Sequence, residues 1–290
     1  MNNNPEINEI ITYYESVTGK KYQNLEKLVS SFSNDEYYDF KYYLLNTFYW
    51  SKNSNEIIWE IFQDFVDKPV ASILDFGCGS GLYAKRLKKY CVTYTGTDIS
   101  KSGIQIAKEI NKDISNVHFV DLVDFYSSNT KFDLIFCSET LDHIDNPKKT
   151  LRYLKSRLSD GGRLILTTTT IYHYIFRILF QHIPNDLVNL NFKKVIYRPF
   201  LYFQALFSFS KRSKLMKVGL GRDDHKNAFT LREHFYLAKK VGLCIEQFEY
   251  FTCKDIFPGK LFKGINLILK KYLRRSKVYG SNIFICLKNC

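Results

Sequence analysis

An apolar run that ends in an acid and then carries three glycines at alternate positions constrains this chain more than any other feature. It reads Ile73-Leu74-Asp75-Phe76-Gly77-Cys78-Gly79-Ser80-Gly81. The approach, Ala71-Ser72-Ile73-Leu74, has the character of a short buried strand, and Leu82-Tyr83-Ala84-Lys85-Arg86-Leu87 that of a helix. Glycines spaced in this way let the backbone turn tightly and let a ligand approach where a Cβ would clash. A dinucleotide fold wants Gly-x-Gly-x-x-Gly, but here Gly81 comes one position early and Leu82 stands where that motif needs glycine. A phosphate loop would continue Gly-Lys-Ser/Thr, and no such triplet follows. Strand, glycine loop and helix together suit an α/β fold with a ligand at the loop; a glycine turn in an ordinary α/β protein is the competing reading.

The rest of the chain supports that class. From residue 71 onward strand and helix patterns alternate, as in a parallel sheet with crossover helices. Tyr94 to Ile99 reads as a second strand followed by a helix over Ser102–Ile110, and Val117 to Val120 as a third strand ending at Asp121. Phe132 to Cys137 is apolar enough to be central. A helix over Pro147–Leu158 leads through the turn Ser159-Asp160-Gly161-Gly162 into a strand over Arg163–Thr168. Phe235 to Lys240 is helical before Gly242, and Cys244–Phe251 with Asn282–Leu287 form a closing pair of strands. Residues 1–68 show no strand alternation and read as an N-terminal helical cap, with Ile57 to Val66 as its last helix. Residues 69–290 form the main domain, interrupted by an insertion at about 171–225.

With 290 residues, 45% of them hydrophobic, the chain can build a sizeable core. Its seven cysteines include no Cys-x-x-Cys, and Cys137, Cys244 and Cys286 lie in apolar runs, so they read as buried thiols of a reducing compartment. The start, Met1-Asn2-Asn3-Asn4-Pro5, lacks the regions of a signal peptide, and no apolar run reaches spanning length. A cytoplasmic location is expected. The net charge of +13 is unevenly spread: residues 1–150 hold 16 Lys/Arg against 21 Asp/Glu, and residues 151–290 hold 26 against 8. All of the basicity sits in the second half, which therefore suits an anionic partner.

Asp75, Asp98 and Asp121 end three successive strands at similar intervals. In open parallel sheets ligands bind beyond those carboxyl ends. The acid with its Gly-x-Gly-x-Gly resembles the first motif of the class I S-adenosylmethionine-dependent methyltransferases. The resemblance is close over about residues 60–170 and looser over 225–290. It is densest in Phe132-Asp133-Leu134-Ile135-Phe136-Cys137-Ser138-Glu139-Thr140-Leu141-Asp142-His143-Ile144, with Leu158-Ser159-Asp160-Gly161-Gly162 beyond. That stretch is similar to the small-molecule branch, in particular the ubiquinone-pathway O-methyltransferases.

The resemblance implies a Rossmann-like fold of seven mostly parallel strands with helices on both faces, and S-adenosylmethionine as cofactor. Asp75, Gly77, Gly79, Gly81 and Ser138 would then line the cofactor site. Asp98 would accept the ribose hydroxyls through a bidentate, charge-assisted bond. Ile99 would cover a face of the adenine, Asp121 would accept from its amino group, and Leu122 would add a backbone contact. A hydroxyl acceptor must lose a proton, and His143, just after the fourth strand, is the first choice of base because imidazole titrates near neutral pH. Glu139 and Asp142 join it as catalytic candidates. In the quinone-pathway relatives the corresponding carboxylates are associated with a divalent cation, so Glu139, Asp142 and His143 are the candidate ligands; Asp142 stands where Glu is usual, which shortens its reach. The competing role for Asp142 and His143 is to cap the following helix. Asp223-Asp224-His225 is a second cluster, read as a solvated turn or as a loop over the substrate. The Asn/Asp-Pro-Pro-Tyr of amino-methylating enzymes and the Pro-Cys of cytosine C5 enzymes are both absent.

Within the insertion, residues 171–217 carry 11 Phe/Tyr and 8 Lys/Arg but one acid, Asp186. Phe200 to Phe209 followed by Lys211-Arg212-Ser213-Lys214 suits an in-plane interfacial helix, and Leu261 to Lys277 repeats the theme. A substrate-binding cap with a small aromatic core is the competing reading. The expectation is a methyltransferase acting on oxygen of a small or lipid-linked acceptor, such as a quinone precursor or lipid-linked sugar, at an anionic membrane surface. The alternatives are an RNA or tRNA methyltransferase docking nucleic acid on its basic half, and a non-catalytic protein that only binds the cofactor.

Overall fold

The computed structural model describes residues 54–171, 190, 192, 193, 195, 196, 200, 227–252, 274–277 and 280–290. The elements in chain order are α1 (Ser54–Phe65), β1 (Val70–Phe76), α2 (Ala84–Leu87), β2 (Cys91–Asp98), α3 (Lys101–Ile110), β3 (Val117–Asp121), α4 (Leu122–Ser127) and β4 (Phe132–Ser138). A 3-10 turn at Leu141–His143 then precedes α5 (Pro147–Ser156), β5 (Leu158–Thr169), α6 (Leu231–Val241), β6 (Leu243–Phe251), β7 (Arg275–Ser276) and β8 (Asn282–Asn289). The chain divides into two compact units, with the boundary inside β4 between Phe136 and Cys137; Ile57–Phe65 belongs with the second.

In the first unit four parallel strands lie in the order β3-β2-β1-β4. The order reverses at β1, so the loop that leaves β1 opens at a switch point, where α/β sheets bind ligands. β1 and β4 carry the continuous apolar runs of strands covered on both faces: Ile73, Leu74, Leu134, Ile135 and Phe136 are all buried. α3 turns Ile104 and Ala107 inward and starts on a Ser100 cap, whose hydroxyl accepts from the Gly103 N–H at 2.9 Å.

The second unit is antiparallel, in the order β5-β8-β6-β7. Ile283 to Leu287 of β8 are buried throughout, and Phe65 meets Phe284 edge-on with ring centroids 4.9 Å apart. α6 begins with a capping box between Thr230 and Glu233 and ends at Gly242, whose φ of 74° supplies the left-handed stop.

Three expectations are corrected. Among the described residues the sheet has eight strands against the expected seven, because two-residue β7 adds to β6 at Tyr250 and Phe251. The turn expected at Ser159–Gly162 falls inside β5, with Gly161 at φ 74°; the ladder with β8 begins at Arg163. Cys244 is not a buried thiol: it forms a disulfide with Cys290, with Cα atoms 5.1 Å apart. The β6–β8 register sets Cys244 opposite Lys288 and Leu243 opposite Asn289, which brings Cys290 alongside. Cys78, Cys91, Cys137 and Cys286 are buried thiols. Most of the N-terminal cap, nearly all of the 171–225 insertion with Asp223-Asp224-His225, and all of Leu261–Lys277 before Arg274 lie outside the described residues.

Candidate active site

All three glycines of the loop use backbone conformations that only glycine adopts freely: φ is 79° at Gly77, 53° at Gly79 and 71° at Gly81. The loop is tied to β2, since the Gly77 and Cys78 N–H groups both donate to the Thr97 carbonyl, at 2.8 and 3.0 Å. At its far end Asn111, just past α3, donates from Nδ2 to the Gly81 carbonyl at 3.3 Å and to the Ala107 carbonyl at 2.9 Å. A Cβ on Gly81 would stand 2.8 Å from the Phe119 ring and 2.9 Å from Asn111 Nδ2. Glycine there serves packing as well as backbone freedom.

Asp98 ends β2 directly beside the loop. It is 3% exposed; Oδ2 accepts from the Gly79 N–H and Oδ1 from the Ser100 N–H, both at 2.9 Å. These two backbone donors orient the carboxylate at the end of β2. Beside it Ile99 is 61% exposed, a large apolar side chain held in the open at the sheet's carboxyl edge. Asp121 ends β3 and caps α4: its Oδ1 accepts from the N–H groups of Val123 and Asp124 at 2.9 and 3.0 Å. Those two bonds hold its carboxyl below the usual range, so it stays ionised, with Oδ2 outside the cap. Leu122, next to it, is half-buried.

Asp75, near the end of β1, is 1% exposed; the Tyr94 hydroxyl donates to its Oδ2 at 2.8 Å. Burial raises its carboxyl to about 7, the Tyr94 bond opposes the rise, and the charge of Asp98 adds to it. The sequence flags Asp75 and Asp98 but not Tyr94, Asn111, Ser100 or Phe119. Tyr94, Asn111 and Phe119 come to the site from other parts of the chain through tertiary packing, while Ser100 bonds Asp98 locally.

The remaining candidates belong to the second unit. Ser138 turns its hydroxyl to Thr167 Oγ1 at 2.8 Å. Glu139 takes a left-handed φ of 48°, which costs a side-chain-bearing residue about 1–2 kcal/mol. Its neighbours secure that conformation. Its N–H donates to the Thr167 carbonyl at 2.8 Å, while its carboxylate accepts from Thr167 Oγ1 at 3.0 Å, Thr169 Oγ1 at 3.2 Å and Asn282 Nδ2 at 3.1 Å. The register of β5 with β8 places Thr169 opposite Asn282. The Ser281 hydroxyl donates to Asn282 Oδ1 at 2.7 Å, which turns the amide N–H toward Glu139.

His143 closes the 3-10 turn and is half-buried, whereas Asp142 is fully buried. Asn227 holds this turn from outside the strands: its N–H donates to the Asp142 carbonyl at 2.9 Å and its side chain to the Ile144 carbonyl at 2.6 Å. Nothing in the local pattern around residue 227 announces that role. A divalent cation does not fit Glu139, Asp142 and His143. Neutral donors hold the Glu139 carboxylate, Asp142 is fully buried, and among the described residues no group of three or more His, Cys, Asp or Glu is placed to hold a metal.

The profile of the methyltransferase-domain family matches residues 49–231, well over half of the chain. Over 99 residues the chain is 31% identical to a ubiquinone biosynthesis O-methyltransferase of Coxiella burnetii, covering 33% of this chain and 42% of that protein. Over 100 residues it is 34% identical to malonyl-[acyl-carrier protein] O-methyltransferase 1 of Ilyobacter polytropus, covering 33% and 37%. The chain thus spans less than half the length of these curated relatives. Among solved structures, the fold is similar to a methyltransferase in complex with the Haloferax volcanii Trm112 methyltransferase activator, with a TM-score of 0.53 at 13% identity over 81% of this chain and 90% of that one. It is likewise similar to an S-adenosylmethionine-dependent methyltransferase of Mesorhizobium loti, with a TM-score of 0.51 at 14% identity over 80% and 97%. A donor loop at the switch point, an acid closing each of three parallel strands, and a family match across the same residues agree: this chain belongs to the class I S-adenosylmethionine-dependent methyltransferases.

Proposed function

We propose that this protein transfers a methyl group from S-adenosylmethionine to an oxygen of a small or lipid-linked acceptor at an anionic, cytoplasmic membrane face. The observation that carries the reading is the Asp98 carboxylate, buried at the end of β2 and oriented by two backbone N–H bonds beside a loop of left-handed glycines. A donor set of this kind fits an adenosyl group: Asp98 for the ribose hydroxyls, Asp121 Oδ2 for the adenine amine, Ile99 as an apolar platform. When bound, the cofactor supplies an electrophilic methyl on a sulfonium.

The chain's own residues do the rest. The loop and Asp98 fix the donor's orientation, and holding reactants in line is worth several kcal/mol of barrier, up to about 7–11. His143 takes the proton of the acceptor hydroxyl, and Glu139, clamped by Thr167, Thr169 and Asn282, presents a fixed carboxylate that orients the acceptor. No step runs through a metal. The names of the curated relatives, both O-methyltransferases, support oxygen as the methylated atom. The surplus of Lys/Arg in residues 151–290, 26 against 8 acids, supports an anionic surface as the place of encounter.

Radiolabelled S-adenosylmethionine incubated with the full chain and separated lipid, small-molecule and RNA fractions tests this. Label is expected in the lipid or small-molecule fraction, abolished or strongly reduced in His143→Ala while cofactor affinity holds. Label in RNA would replace the reading by nucleic-acid methylation. Retained cofactor binding with no label in any fraction would leave a non-catalytic binding protein.

A further inference from the structure

Asp75 has surroundings that the positioning of the cofactor does not explain. It is buried at the carboxyl end of β1, and its partner across β2 is a neutral phenol, Tyr94, itself 0% exposed. Among the described residues no lysine, arginine or histidine pairs with it. The groups that face it are Tyr94 and Asp98 from β2 and Cys78 from the loop, while β4 sets Phe136 opposite. A carboxyl buried beside a second carboxylate, with a neutral donor in place of a cation, is poised between its charged and uncharged forms. Any positive charge brought to the loop tips it toward ionisation.

The two forms of the cofactor differ by one such charge. The methyl donor carries an ammonium, a carboxylate and a sulfonium, for a net +1. The product thioether has lost the sulfonium charge and is neutral overall. We propose that the Asp75–Tyr94 pair reads the charge of the bound cofactor and so discriminates donor from product. The Asp75 carboxyl releases its proton to solvent when the cationic donor binds. It takes one back from solvent once methyl transfer leaves the neutral thioether, so the ionised form that favoured the donor is gone when the product occupies the site. Tyr94 is the positioning residue: its hydroxyl stabilises the ionised form of Asp75 and fixes the carboxylate's direction. The inference rests on the glycine loop being the donor site.

Calorimetry of the full chain with S-adenosylmethionine and with S-adenosylhomocysteine, at pH 6.0 and 7.5 and in two buffers of different ionisation enthalpy, counts the protons released. With Asp75 at about 7 in the free protein, donor binding at pH 6.0 is expected to release close to one proton, and donor affinity relative to product to rise about eightfold by pH 7.5. Tyr94→Phe, which keeps the ring and removes the hydroxyl, moves this transition to higher pH; Asp75→Asn flattens it. Should Asp75→Asn fail to fold, the wild-type proton count and Tyr94→Phe still decide. Tight donor binding with no proton release and a pH-independent donor-to-product ratio would overturn the inference while leaving the donor site intact. Absence of binding by either form would remove the site assignment and the inference together.

Discussion

Replacing Gly81 by alanine separates two physical demands on the donor loop, backbone freedom and space. The residue sits at φ 71°, and a Cβ there would stand 2.8 Å from Phe119 Cε1 and Cζ and 2.9 Å from Asn111 Nδ2. The left-handed conformation alone costs an L-residue about 1–2 kcal/mol. Forcing a methyl against a buried ring adds about 1–3 kcal/mol of overpacking. Gly161 provides the control, because at φ 74° a Cβ would meet nothing within 4 Å, so Gly161→Ala carries the backbone cost alone. Urea unfolding followed by circular dichroism should then show Gly81→Ala more destabilised than Gly161→Ala by about 1–3 kcal/mol. Phe119→Leu removes the atoms that clash, so it should recover part of the Gly81→Ala loss in the double variant, a coupling read as non-additivity. Equal destabilisation by the two alanines, or strict additivity with Phe119→Leu, would refute the claim that space beneath the loop, and not only its dihedral angles, selects glycine at 81.

Two further outcomes follow from the same geometry. Asp98→Ala removes the acceptor of the Gly79 and Ser100 N–H groups, and donor affinity measured by calorimetry should fall at least about tenfold; unchanged affinity would take Asp98 out of the site. His234 is buried against Phe229, with Nε2 3.2 Å from Thr168 Oγ1, and burial lowers it from 6.5 to about 4. Because its folded value lies below its unfolded one, the unfolded chain binds the extra proton, and stability is lost as pH falls from 6.5 towards 4, by on the order of 3 kcal/mol. His234→Gln should flatten that segment of the pH–stability curve, and an unaltered slope would show that another group titrates there.

The local patterns that encode elements were readable without coordinates. Strand β1, its glycine loop and the acids at 75, 98 and 121 follow from apolar runs, turn chemistry and spacing. Helix α6 starts four residues earlier than its apolar pattern suggests, because the Thr230–Glu233 capping box, not hydrophobicity, sets its first turn. Asp121 illustrates a real ambiguity in such reading: helix cap and adenine acceptor call for the same residue type at the same place, and the structure shows that capping engages only one of its two oxygens. The candidate metal ligands do not assemble for another reason. Glu139, Asp142 and His143 are near in sequence, but Thr167, Thr169 and Asn282 hold the Glu139 carboxylate, while Asp142 is buried and His143 half-buried.

By itself, the sequence determined what depends on near neighbours: the parallel α/β alternation, the need for glycine at the loop, and carboxylates at successive strand ends. Only the tertiary structure decided what surrounds those groups. Tyr94 reaches Asp75 because β1 and β2 pair in one register, Asn282 reaches Glu139 across 143 residues because β8 returns beside β5, and Cys290 meets Cys244 through the β6–β8 ladder. A shift of one residue in any of these registers would turn the partner to the opposite face of its strand. Register is set by burying whole apolar faces at long range, so the protonation of Asp75 and the clamp on Glu139 are written in the fold and not in any local stretch of the chain.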